Sequence, residues 1–221
     1  MVIDGIEIEV KRKNIKNLNL RINPPAGDVV LSAPLHASEE KIYKFASSRI
    51  EWIKKNRKKY EGYVEPKLLT GETVYLWGKP YILLLKTGMD FNRVSGENII
   101  LYTPPRETTL EERQFLMEGF YHAEMIIKTA EIAPLWEQRL DVHVNKWNFR
   151  SMKSRWGSCI PGKGHISLAL ELAQKPECCL EYIIVHELCH MLVPNHGPVF
   201  KMLMNEIYPE WKQIEKLLKG G

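Results

Sequence analysis

His186-Glu187-Leu188-Cys189-His190-Met191-Leu192-Val193-Pro194-Asn195-His196 is the stretch from which the rest of the chain is read. Residues four apart on a helix share a face, so His186 and His190 reach one point beside it. Glu187, next to the first histidine, faces whatever those imidazoles hold. This is the H-E-x-x-H spacing of two zinc ligands and a general base. Pro194 cannot continue the helix and stops it near Val193. The chain turns at Asn195, and His196 is the next residue able to bind a metal. Three protein ligands with one open position describe a catalytic zinc rather than a structural one. With 7 His and 23 Glu in 221 residues, about 0.02 such matches are expected by chance. Tyr182-Ile183-Ile184-Val185 and Leu188, Met191, Leu192 and Val193 make this helix apolar on nearly every side, which places it in a core. Two histidines and a glutamate there are costly unless a partner such as a metal pairs with them.

Outward from that helix, composition sets limits. Hydrophobic residues make up 44% and charged residues 26% of the 221, the balance of an ordinary globular protein with a sizeable core. No apolar run has the length of a membrane span, and Met1-Val2-Ile3-Asp4-Gly5-Ile6-Glu7 lacks the basic and apolar regions of a signal peptide. Cys159, Cys178, Cys179 and Cys189 show no C-x-x-C spacing, which predicts reduced thiols in a cytoplasmic protein. The net charge of +4 is uneven: residues 1–60 hold 13 Lys and Arg against 7 Asp and Glu. Lys11-Arg12-Lys13 and Lys54 to Lys59 carry that excess. A docking surface for nucleic acid is one reading of the basic N-terminal half. A solvated helix face and strand edge is the other, favoured by the sparse aromatic interleaving.

Along the chain, Ile6–Val10 alternates as a half-buried strand does. Leu18–Ile22 and Val29–Leu31, joined by a Pro24-Pro25-Ala26-Gly27-Asp28 turn, predict a hairpin. Ser38 caps a helix running to about Tyr60, and a linker follows at Gly62–Pro66. Strands are expected at 74–77, 81–85 and 98–102. The segment from Gly27 to Pro34 resembles that from Gly96 to Pro104, and each leads into a capped, acidic helix start, which suggests a degenerate repeat. Thr109, with Glu112 at capping-box spacing, starts a long helix to about Leu140. Val142–Trp147 reads as a strand, and Gly162-Lys163-Gly164 turns the chain into the return strand His165–Leu170. Pro176 suits the first turn of the motif helix. Pro198 opens another helix ending by Pro209, and a short one holds Trp211 and Leu217-Leu218.

The pairing of Ser154-Arg155-Trp156-Gly157-Ser158-Cys159 with the H-E-x-x-H stretch and Asn195-His196 resembles the YgjP-like family of zinc-dependent hydrolases. These are relatives of the gluzincin-like metallopeptidases and of SprT-type proteins. The likeness runs over most of the chain, including Pro209-Glu210-Trp211, and is strongest over residues 150–211. Gly197-Pro198 departs from the serine and non-proline residue expected after the third histidine. The resemblance implies an α+β fold: a zincin-like core with the active-site helix beside a mixed sheet. It also implies zinc at His186, His190 and His196, and catalysis by Glu187. The expected division is a β-rich region over 1–108 and a catalytic domain over 109–221.

His196 is the preferred third ligand because the Pro194 stop returns the chain early and neutral imidazole suits zinc. Glu206 on the following helix is the alternative, as gluzincins would use. The chemistry then expected is a zinc-bound water activated by Glu187, with Arg155 or Tyr208 as donor to the oxyanion. Trp147, Trp156 and Trp211 read as core aromatics, and Cys189 as a small buried filler. A metallopeptidase acting on a peptide or protein is the leading reading. Alternatives are a metal-dependent hydrolase of nucleotide phosphoanhydrides, a nucleic-acid-associated protease and an inactive zinc-stabilised module. The absence of a P-loop and of a carboxylate cluster weighs against the nucleotide reading.

Overall fold

Alternating apolar and charged residues build the first strands. The computed structural model describes residues 1–23, 27–60, 66–152 and 154–219. The Pro24-Pro25-Ala26 part of the expected turn and nearly all of the Gly62–Pro66 linker lie outside those residues. The chain divides into two compact units, Met1–Pro66 and Lys67–Gly221.

In the first unit, β1 (Val2–Ile3), β2 (Ile6–Lys13), β3 (Asn19–Asn23) and β4 (Asp28–Pro34) form a sheet in the order β1-β2-β4-β3. The expected hairpin is there: β3 runs antiparallel to β4 with Leu20 opposite Leu31. β2 lies parallel to β4, with Ile8 opposite Val29. Alternate residues Ile8, Val29, Leu31 and Ala33 are buried with Ile42, Ala46 and Ile53 of the helices. The single helix expected from Ser38 is two, α1 (Glu39–Ser47) and α2 (Ile50–Arg57). Ser38 does cap α1, accepting from the Lys41 backbone N–H at 3.3 Å. The break has a local cause. Ser48 Oγ donates to the Phe45 carbonyl at 2.8 Å, and such a hydroxyl competes with the helix for its own backbone.

Part of the basic charge in this unit is paired within it. Arg12 pairs with Glu39, Lys11 lies 3.1 Å from Glu9, and Lys54 contacts both Asp4 and Glu51 at 3.1 Å. This favours the solvated-face reading, and nucleic-acid binding gains no support.

The second unit opens with β5 (Thr73–Leu76), β6 (Lys79–Thr87), β7 (Arg93–Ser95) and β8 (Asn98–Thr103), ordered β5-β6-β8-β7. Its antiparallel, parallel, antiparallel pairing repeats that of the first sheet. Gly27 and Gly96, the glycines that open the two similar segments, both have left-handed φ, +74° and +60°. The likeness between those segments is therefore a likeness of topology. β7 was not expected because Arg93, Val94 and Ser95 are all exposed and carry no alternation.

α3 (Leu110–Leu140) begins at a true capping box: Thr109 Oγ1 accepts from Glu112 N at 3.3 Å, and Glu112 Oε2 accepts from Thr109 N at 2.9 Å. The strand expected at Val142–Trp147 starts later, as β9 (Lys146–Arg150). The backbone before it is already committed. Val142 N–H donates to the Glu137 carbonyl at 3.0 Å, Val144 N–H to Glu137 Oε2 at 3.1 Å, and Asn145 N–H to the Gly164 carbonyl at 2.8 Å. β10 (Gly157–Ile160) and β11 (His165–Ala169) form the expected hairpin, and β9 joins β11 in parallel, giving the order β10-β11-β9. Three helices follow: α4 (Glu177–Leu192), α5 (Pro198–Ile207) and α6 (Trp211–Leu218).

One core runs through this unit. Leu83, Ile99 and Leu101 of the second sheet share it with Phe120 and Met125 of α3, Leu168 of β11, and Ile184 and Leu188 of α4. The boundary expected at 108/109 therefore falls inside a single packed body. The β5–β6 turn also reaches the start of α4. A Cβ on left-handed Gly78 would lie 2.9 Å from Pro176 Cγ, and Trp77 N–H donates to the Ala173 carbonyl at 2.7 Å. The α+β class, with a mixed sheet beside the motif helix, is as expected. Among the described residues, no helix is long and apolar enough to cross a membrane.

Leu168 is fully buried between sheet and helix. Leu168→Ala is expected to cost about 2–5 kcal/mol and Thr109→Ala about 1 kcal/mol, read from urea unfolding midpoints; equal, negligible losses would contradict this core.

Candidate metal centre

α4 is sunk in the core on most sides, with Ile184, Val185, Leu188 and Cys189 fully buried. His186 and His190 are half-buried on the side left open. The helix ends at Leu192, and Val193 already has extended backbone, as the Pro194 stop predicts. Gly197 N–H donates to the Asn195 carbonyl at 2.8 Å, and this tight turn brings His196 back over the helix. Gly197 then serves as N-cap of α5 with Pro198 in its first turn, so the departure at these two positions suits the local backbone.

His196 Nε2 lies 2.9 Å from both His186 Nε2 and His190 Nε2. The ligand atoms of the three all fall within 4.8 Å of one another, the one such group among the described residues. The His190 ring is oriented by its other nitrogen: Nδ1 donates to the Val193 carbonyl at 3.0 Å, leaving the Nε2 lone pair aimed at the centre. Phe200 of α5, only 2% exposed, lies against all three imidazoles, stacked on His190 with ring centroids 4.5 Å apart.

Burial, reinforced by His190 and His196, pushes His186 down to about 3. Burial also lowers His190, despite the Val193 carbonyl that favours its charged form. These two rings are thus neutral and offer lone pairs. One N–H on His196 can serve only one of its two neighbours well, so the cluster lacks a positive centre. Among the described residues His186 Nδ1 is buried without a partner, so the ring's polar contact is through Nε2. A divalent cation fits this donor set, and neutral imidazoles are suited to zinc.

Glu187 is 4% exposed, and burial pushes its carboxyl up to about 8, with the Arg155 guanidinium pulling the other way. A cation at the histidines would act in the same sense as Arg155. β10 approaches Glu187 closely because residue 157 is glycine. A Cβ there would sit 2.6 Å from Glu187 Oε1 and 2.8 Å from Ile183 Cγ2. The cavity over the site has a volume of about 670 Å³, lined by the Ser154–Cys159 run, Tyr182, Glu187, the three histidines, and Glu215 and Lys219 at the chain's far end.

Five of the expected residues meet at this cavity: His186, Glu187, His190, His196 and Arg155. Tyr208 does not. Its hydroxyl donates to Glu181 Oε2 at 3.3 Å, and Glu181 also accepts from Trp136 Nε1 at 3.0 Å. One residue before Tyr182, Glu181 projects from the side of α4 turned away from the histidines, so Tyr208 is drawn away with it. Glu206 is exposed and outside the histidine group. Trp156 is not wholly core: it lines the cavity, with Lys175 Nζ 6.0 Å from its ring centre. Cys189 is the expected buried filler, its thiol pushed up to about 12 by burial.

Sequence reasoning passed over Tyr182, Phe200 and Gly157. A signal existed for the first two, since Tyr182 stands four residues before His186 and Phe200 four after His196. For Gly157 there was none, because its role is a contact made in space.

His196→Ala is expected to abolish stoichiometric zinc by metal analysis while Glu206→Ala retains it; the reverse pattern would move the third ligand. Gly157→Ala is expected to keep the zinc and lower hydrolytic turnover at least about tenfold by displacing the Glu187 carboxyl; unchanged turnover would rule out that contact as a constraint.

The chain is 23% identical to the metallopeptidase zymogen jannalysin of Methanocaldococcus jannaschii, over 42% of this chain and 89% of that one, with a TM-score of 0.38. It is 21% identical to the metallopeptidase zymogen abylysin of Pyrococcus abyssi, over 41% of this chain and 90% of that one, also with a TM-score of 0.38. No curated protein matches it. The YgjP-like metallopeptidase domain matches residues 16–220, so that all but the first two strands, β1 and β2, falls within it, the histidine cluster included. This chain belongs to the YgjP-like metallopeptidase family.

Proposed function

We propose that this protein is a zinc metallopeptidase in which His186, His190 and His196 hold the metal and Glu187 is the general base. The observation that carries the reading is the meeting of three imidazole nitrogens with a buried carboxyl in one cavity. Zinc held there supplies Lewis acidity and brings the pKa of a bound water towards about 7. Glu187 accepts the proton from the attacking water and returns it to the leaving amine. Arg155, a cation beside that carboxyl, favours its charged form and so its role as base.

A peptide suits the surroundings of the site. β10 borders the cavity and, among the described residues, is an edge strand paired with β11, so its other backbone edge can serve as a template for an extended chain. The main chain of a substrate laid along Gly157–Ile160 would bring its carbonyls past Glu187. Hydrolysis of nucleotide phosphoanhydrides draws no comparable support, since magnesium is held by oxygen ligands and the group found here is three imidazoles.

The decisive comparison is wild type against Glu187→Gln over a peptide library, with zinc measured in both. Full zinc with turnover reduced about 10²–10⁴-fold is the expected result. Equal hydrolysis by both proteins would remove Glu187 as base. Chelation of the wild type is expected to abolish turnover, and added zinc to restore it.

A further inference from the structure

The site as described has a base and three ligands but no group assigned to the oxygen on which charge develops. Tyr208, expected for that role, is held by Glu181 on another side of α4. Arg155 stands on the Glu187 side of the cavity. One polar group of the cavity wall has no role yet. Tyr182 is 3% exposed and lines the cavity, and its ring packs edge-on against His186 with centroids 5.7 Å apart.

Its place on the helix follows from its spacing. At about 100° per residue counted from Tyr182, His186 lies at about 40°, His190 at about 80° and Glu187 at about 140°. Tyr182 and Glu187 therefore flank the two helical ligands on opposite sides. A base on one side of the scissile carbonyl and a donor on the other is the arrangement that acyl transfer to water needs.

The hydroxyl is also available. Ser47, Thr129 and His186 carry the side-chain atoms that are both sealed off and unpartnered among the described residues. The Tyr182 oxygen is not one of them and makes no hydrogen bond among the described residues, and its residue lines the cavity. Glu215, the nearby carboxylate of α6, is already engaged by Lys219 at 2.7 Å. A phenol is protonated at neutral pH, so it is a donor there.

We propose that the Tyr182 hydroxyl donates a hydrogen bond to the oxyanion of the scissile carbonyl, which makes it a catalytic residue of this site. The inference rests on the peptidase reading above. Water oxygen bonds to the carbonyl carbon, and one water proton passes to Glu187. The C=O π pair moves onto oxygen, where Tyr182 O–H stabilises it without giving up its proton. The pair then returns as the C–N bond breaks, the amine takes the proton from Glu187, and acid and amine products leave.

Tyr182→Phe keeps the ring against His186 and removes only the hydroxyl, with Tyr208→Phe as the comparison. Three quantities are read: zinc per chain, kcat and KM on a fluorogenic peptide, and the Kd of a phosphinic peptide whose tetrahedral oxygens occupy the oxyanion position. The expected result for Tyr182→Phe is unchanged zinc, KM within about twofold, and kcat lowered about 10²–10³-fold, with the phosphinic peptide weakened in parallel. Tyr208→Phe should leave all three near wild type. Wild-type kcat with unchanged phosphinic affinity would overturn the proposal, as would loss of zinc from Tyr182→Phe, which would make the residue structural. If the wild type cleaves no peptide, the peptidase reading fails on its own. The phosphinic Kd then decides for Tyr182: weakening upholds the donor, while equal or absent binding ends it.

Discussion

Three imidazoles pointed at one another on the one open side of a buried helix form an arrangement that suits a cation, and the second unit is built to hold them. α4 can carry two of the rings only because its remaining surface is consumed by packing against α3, β10, α5 and α6. A solvated helix would let the histidines turn to water. Here His186 is held by core packing and its contact with His196, His190 by its bond to the Val193 carbonyl, and His196 by the turn that Pro194 and Gly197 impose. Phe200 then closes the back of the cluster against all three rings, so that the nitrogens have no direction left except towards the centre.

The same burial sets the chemistry. Moving Glu187 out of water disfavours its charged form, and nearby positive charge restores it. The carboxyl and the histidine cluster are therefore electrostatically coupled: a cation at the histidines would also favour the ionised form of Glu187. Gly157 holds this in register, because only a residue without a side chain lets β10 lie so close to Glu187. That closeness in turn places a strand edge beside Glu187, the geometry by which a sheet receives an extended chain.

Much of this was legible residue by residue. Spacing of four gave the pair of histidines that share a face, Pro194 gave the end of the helix, and apolar flanks gave its burial. The capping box at Thr109, the β3–β4 hairpin and the Gly162–Gly164 turn are likewise local features written in short-range chemistry. The failures were local readings overruled by partners. The Ser48 hydroxyl broke one expected helix in two, and Glu137 and Gly164 took the backbone groups that Val142–Asn145 would have needed for a strand. β7 left no pattern because none of its side chains is buried.

Sequence by itself determined the elements and the donor types: which residues could bind a metal, where the helix bearing them stops, and that it lies in a core. These follow from backbone periodicity and from the cost of burying polar groups, which act within a few residues. Only tertiary structure decided which groups meet. Tyr208 stands near the motif in sequence, yet its bond to Glu181 draws it away from the cavity. The second sheet, which looked like part of a separate region, closes the core behind α4. Such choices depend on contacts between residues distant in the chain, and no pattern of neighbours along it encodes them.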